Sequence, residues 1–160
     1  MKKYLFLRKT VLVGIFLFGL SSMAQSLVKP SQVNLHYLKT LFENSKIKIE
    51  DVAPDHLKIR QIYQLRVAVD YDKQFITFKT NYALKEKVTE QQAIALANRL
   101  NSEIPLAKIF YDKATHTMCY QYEFWIKDGF TVQGLISATD FFSRLISLSF
   151  DKDKERLIDS

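Results

Sequence analysis

The stretch Thr117–Phe150 reads TMCYQYEFWIKDGFTVQGLISATDFFSRLISLSF, and its two halves follow different periods. In the first half Met118, Tyr120, Tyr122, Phe124 and Ile126 fall on one parity, and Thr117, Cys119, Gln121 and Glu123 on the other. That two-residue repeat predicts a strand with one buried face. Asp128-Gly129 breaks the repeat, and Thr131 is placed to cap a helix. Beyond it Val132, Leu135, Ile136, Thr139, Phe142 and Ile146 recur at three and four, the stripe of a helix running to about Phe150. A long strand turning into a long helix leaves two apolar faces to be covered, and the segments upstream are patterned to cover them.

The first helix is expected to open at Pro30-Ser31 with Ser31 as cap, carrying Val33, Tyr37, Leu38, Leu41 and Phe42 inward. Ile47 and Ile49 read as a further short edge strand. Leu57 and Ile59 begin a run of alternation that is cleanest at Tyr63, Leu65, Val67 and Val69. After a reversal at Tyr71-Asp72-Lys73 it resumes through Ile76, Phe78, Thr80, Tyr82 and Leu84. Connections this short favour antiparallel neighbours, because a parallel return needs a crossover of a dozen or more residues. Thr89 and Gln92 form a capping box ahead of Ala93, Leu96, Ala97, Leu100 and Ile104, and Pro105 ends that helix. Leu106–Tyr111 reads as a strand leading through a loop into Thr117. The order is α-β-β-β-α-β-β-α, with three or four strands ahead of the second helix: an α+β fold with helices packed on an antiparallel sheet.

The ends are set apart by composition. Lys2, Lys3, Arg8 and Lys9 precede an apolar run from Val11 to Leu20, and Ser22-Met23-Ala24 offers small residues to a signal peptidase. Residues 1–24 therefore read as a signal peptide, with cleavage between Ala24 and Gln25. The run of ten residues is half of what a membrane span needs, about 20. The expected product is periplasmic or secreted, with no stable membrane insertion. Residues 25–30 read as a flexible tail, 31–150 as one domain and 151–160 as a charged tail.

Charge follows from the same division. The chain holds 23 Lys and Arg against 17 Asp and Glu. Removing the leader with its four basic residues leaves 19 against 17, so no nucleic-acid partner is expected. The lone cysteine, Cys119, has no internal disulfide partner and reads as a small buried residue.

Several landmarks in this order resemble the YbjN family of bacterial proteins. They are Thr89-Glu90-Gln91-Gln92, Ala97-Asn98-Arg99-Leu100-Asn101, Tyr111-Asp112 and Asp128-Gly129-Phe130-Thr131. Members of that family are often labelled sensory transduction regulators, and their fold is similar to that of type III secretion chaperones. The resemblance spans about Ser31–Phe150. It implies the α+β fold above and, by analogy with those chaperones, a protein-binding habit. The chain departs from the family at two turns, where Asp55-His56 and Lys113-Ala114 stand in place of glycine. The matched residues also carry structural readings: a positive-φ turn for Gly129, a cap for Thr131, and backbone hydrogen bonds for Asn98 and Asn101.

Chemistry-bearing patterns are sparse. His36, His56 and His116 lie in three separate elements without metal-ligand spacing, and Cys119 has no sequence-local histidine. No nucleophile elbow or phosphate loop is present. No catalytic residue, metal or cofactor is expected, and the chain reads as a non-enzymatic envelope protein that binds another protein. The alternative is a periplasmic module for a small molecule or peptide. Three residues are candidates for protein contact. Trp125 lies on the parity opposite the main aromatic row, either covered by a helix or exposed as a contact residue. Phe141 and Leu148 widen the last helix's stripe, so that either the first helix or a second copy, in a homodimer, covers them.

Overall fold

The computed structural model describes residues 26–70 and 74–159. The expected signal peptide, its cleavage point and the Tyr71–Lys73 reversal lie outside the described residues. Three helices and six strands occur in the order α1 (Leu35–Asn44), β1 (Lys48–Val52), β2 (Leu57–Arg60), β3 (Gln64–Asp70), β4 (Phe75–Ala83), α2 (Glu90–Glu103), β5 (Lys108–Asp112), β6 (Thr117–Trp125) and α3 (Val132–Lys152). The strands form one antiparallel sheet ordered β1-β2-β3-β4-β6-β5. Among the described residues four strands precede α2, the larger of the two counts the patterning allows. The Ile47–Ile49 segment becomes edge strand β1, bulged at Glu50 where its register with β2 shifts.

The strand–turn–helix unit forms as its periods predict. Tyr120 and Met118 are buried, and Glu123 and Trp125 are exposed on the other parity. Gly129 adopts φ +87°, and a Cβ there would meet the Val28 carbonyl oxygen at 3.1 Å. Both facts call for glycine. Thr131 caps α3, its Oγ1 accepting from Gly134 N at 3.0 Å. From α3, Leu135, Phe142 and Ile146 are fully buried against the sheet. The Phe142 ring lies 6.3 Å from Phe78 and 6.0 Å from Tyr122. Ser149 donates to the buried Tyr120 hydroxyl at 3.0 Å. Burial pushes the Tyr120 phenol far above its ordinary pKa.

Helix α2 starts on the Thr89–Gln92 capping box and buries Ala93, Leu96, Ala97 and Leu100. It lies beside edge strand β5. Asn101 fixes the two together: its side-chain amide donates to Ile109 O at 2.5 Å and accepts from Ile109 N at 2.9 Å. A carboxamide reproduces the donor and acceptor of a neighbouring strand, so it satisfies the edge at that residue.

Three expectations are corrected at the chain's ends. Pro30–Gln32 is a short 3-10 turn, and the first helix is capped by Asn34, whose Oδ1 accepts from Tyr37 N at 2.8 Å. Ser31 is not the cap. Residues 26–30 are not a loose tail, because Val28 pairs with Phe130 through hydrogen bonds of 2.7 and 3.1 Å and is 8% exposed. The C-terminal residues are docked as well. Leu157 and Ile158 are buried, Ile158 bridges Leu84, and Asp153 Oδ2 accepts from Ile158 N at 2.8 Å. The charged run masked this apolar pair, which continues the end of β4 and hides its side chains.

Candidate binding surface

Helix α3 packs on the face of the sheet that carries Phe78, Tyr120 and Tyr122, and α2 lies along the β5 edge. No helix of the described residues lies over the opposite face, where Gln64 and Arg66, Lys79 and Asn81, Glu123 and Trp125, Lys108 and Phe110 are exposed.

Trp125 stands at one end of it and is 51% exposed. Its cross-strand partner is Phe75, whose ring meets the indole edge-on at 4.9 Å. An aromatic pair of this geometry is stabilised beyond its buried area, so the indole is held in place rather than sweeping through solvent. Phe110, 39% exposed, stands towards the other end, with Lys108 Nζ 5.6 Å from its ring centre. Cys119 lies beside Phe110, opposite it in register. Its thiol is partly exposed, 3.5 Å from the Thr117 hydroxyl, and is not the buried residue expected. The reason is its parity: no helix of the described residues lies over that side of β6.

Phe141 and Leu148 lie on the other side of the molecule. Leu145 between them is buried, Phe141 rests edge-on against Tyr122 at 6.3 Å, and Leu148 is 36% exposed. The sheet, through Tyr122, takes much of the surface expected to be left over. Helix α1 lies elsewhere, beside Val132 at the start of α3, where Tyr37, Leu41 and Val132 line a cleft of about 380 Å³. The three candidate contact residues are therefore not one site: Trp125 belongs to the open face, Phe141 and Leu148 to the helix layer.

The histidines do not converge. His36 is exposed on α1. His56 Nδ1 bonds Asp55 at 2.7 Å, and this hydrogen bond, together with nearby Arg66, holds the Asp55 carboxyl below its ordinary value. His116 bonds the Tyr111 hydroxyl at 3.0 Å and Lys85 O at 3.3 Å, tying the β5–β6 turn to the end of β4. Among the described residues no group of three His, Cys, Asp or Glu side chains is placed to hold a metal ion. A cleft of about 670 Å³ opens at the end of the sheet between Leu27, Lys29, Val69, Gln74 and Lys127. No helix of the described residues is long and apolar enough to cross a membrane.

No family model and no curated protein matches the sequence. Solved structures do match in three dimensions. YbjN from E. coli, described as a proposed transcription regulator, aligns with TM-score 0.70 at 13% identity, covering 84% of this chain and 100% of that one. An uncharacterised protein from Methanothermobacter thermautotrophicus aligns with TM-score 0.57 at 10% identity, covering 78% of this chain and 99% of that one. At such identities the likeness concerns the backbone alone: the described residues have a YbjN-like α+β fold, with three helices and a six-stranded antiparallel sheet.

Proposed function

We propose that this is an exported, non-enzymatic binding protein of the cell envelope whose partner is another protein, held on the open face of the sheet around Trp125. Export rests on the sequence alone, from the basic start, the short apolar run and the small residues before Gln25. The reading of the site rests on one observation: the only tryptophan of the chain is half exposed, on a sheet face that no described helix covers, and braced there by Phe75. Burying so large an apolar ring contributes to the fold when a helix covers it. Left in solvent but fixed in orientation, it suits binding, because little conformational freedom remains to be lost on association.

The experiment is capture of cross-linked partners from intact cells expressing tagged protein, with and without Trp125→Ala. A hot-spot tryptophan contributes about 2 kcal/mol or more, so the variant should lose about thirtyfold in affinity for the captured protein while its circular dichroism is unchanged. A partner retained equally by Trp125→Ala would refute the assignment of the surface. An intact leader in the recovered protein would refute export.

A further inference from the structure

The same face carries an ordered row of charge. Register places Lys58 opposite Arg66, Arg66 opposite Lys79, Lys79 opposite Gln121, and Gln121 opposite Lys108. Four basic residues and one amide thus lie in a single line across five strands, spanning about 19 Å at the usual strand spacing. Like charges directly opposite one another destabilise a sheet, so the row costs stability that a threonine or glutamine at Arg66 or Lys79 would recover.

Among the described residues, carboxylates form ion pairs with one end of the row. Asp51, the next residue in line, pairs with Lys58 at 3.4 Å, and Asp55 pairs with Arg66. Glu123 accepts from Gln121 at 2.8 Å, and Asp112 is engaged by its own turn through Ala114 N and the Thr115 hydroxyl. Among the described residues Lys79 and Lys108 have no carboxylate within ion-pair distance, and they flank the Gln121 side chain. Beside them Arg66, Lys79, Asn81, Phe110, Cys119 and Gln121 line a concavity of about 220 Å³.

We infer that this row binds an extended acidic segment of the partner protein, with its carboxylates on Lys79 and Lys108. The inference rests on the proposed function above and names the chemistry of the partner. Charge complementarity selects an anion. The arrangement of aromatic rings selects a peptide over a single-stranded nucleic acid, which needs bare ring faces along the basic track for its bases to stack on. Phe110, the ring beside the row, lies under Lys108. Trp125 lies four residues along β6 from Gln121, about 13 Å away, and its neighbour Phe75 packs against it edge-on. Acidic residues on the row, followed by an apolar side chain at Trp125, would occupy both features at once.

The test uses fluorescein-labelled deca-glutamate and anisotropy on the full chain, purified as the expressing cell processes it. Binding is expected at about 20 mM salt and should weaken about tenfold or more by about 200 mM. The double variant Lys79→Glu, Lys108→Glu should lose about tenfold or more, and Lys39→Glu, Lys152→Glu, the same charge change on helices α1 and α3, should stay within about twofold. Circular dichroism checks that each variant is folded. Trp125→Ala should bind the probe normally, since deca-glutamate has no apolar side chain. No binding at low salt would overturn the inference, as would equal losses in the two double variants. Tighter binding of a ten-residue oligothymidylate would overturn it too, assigning the row to nucleic acid. The proposed function fails separately, by retention of the cell-derived partner in Trp125→Ala.

Discussion

Removing the Phe142 ring tests whether α3 holds the two layers together. Phe142 is fully buried between Phe78 of β4 and Tyr122 of β6. In Phe142→Ala the loss of burial costs about 2–3 kcal/mol. The hole cannot close without moving two rings that are themselves packed, which adds about 1–2 kcal/mol. The sum, about 3–5 kcal/mol, is a large part of the stability of a domain this size. Phe142→Leu fills much of the hole and should cost about 1–2 kcal/mol. Urea unfolding followed by far-ultraviolet circular dichroism measures both, with the slope unchanged if only the folded state is affected. A cost below about 1 kcal/mol for the alanine variant would mean that α3 is not seated on these two strands.

Asn101→Ala strips both hydrogen bonds from the Ile109 backbone and should cost about 1–3 kcal/mol, with the Ile109 amide exchanging faster in deuterium exchange. Unchanged protection of that amide would show that the clamp is dispensable. Mass spectrometry of the native protein should give an N-terminus at Gln25, and a chain retaining Met1 in the membrane fraction would exclude processing. The Asp55 carboxyl should titrate below its ordinary 3.8, since the His56 hydrogen bond and the Arg66 charge favour its ionised form. A folded value below the unfolded one means that the stabilising contribution is present above about 3.8 and is lost as pH falls through the folded value. A nuclear magnetic resonance titration that finds Asp55 at or above 3.8 would contradict the pairing.

The strand and helix periods were legible because they are set locally. The parity of Met118, Tyr120 and Tyr122, the Thr89–Gln92 box and the stop at Pro105 each follow from residues close in sequence. What was missed depended on contacts distant in sequence. Val28 looked like part of a loose tail because its partner, Phe130, lies about a hundred residues away and only the fold brings them together. Leu157 and Ile158 were hidden behind six charged residues, although two adjacent apolar residues near a terminus are a signal that the chain turns back onto the body. Ser31 reads as the cap because it follows Pro30, yet proline equally opens the 3-10 turn seen. The candidate surface was half legible. Parity isolated Trp125 on the second face, but sequence could not say whether a helix covered that face. The basic row was not legible at all, since it joins one residue from each of several strands and appears only once their registers are known.

Photo-cross-linking by position asks directly whether the open face holds the partner. Benzoylphenylalanine is placed in turn at positions 125 and 110 on the open face and at 94 on α2, where Ile94 is 45% exposed. Cells expressing each variant are illuminated and the adducts identified. A common protein partner, attached from 125 and 110 and absent from 94, is the predicted result. Adducts formed from position 94 and missing from the sheet positions would contradict it, placing the partner on the helices instead.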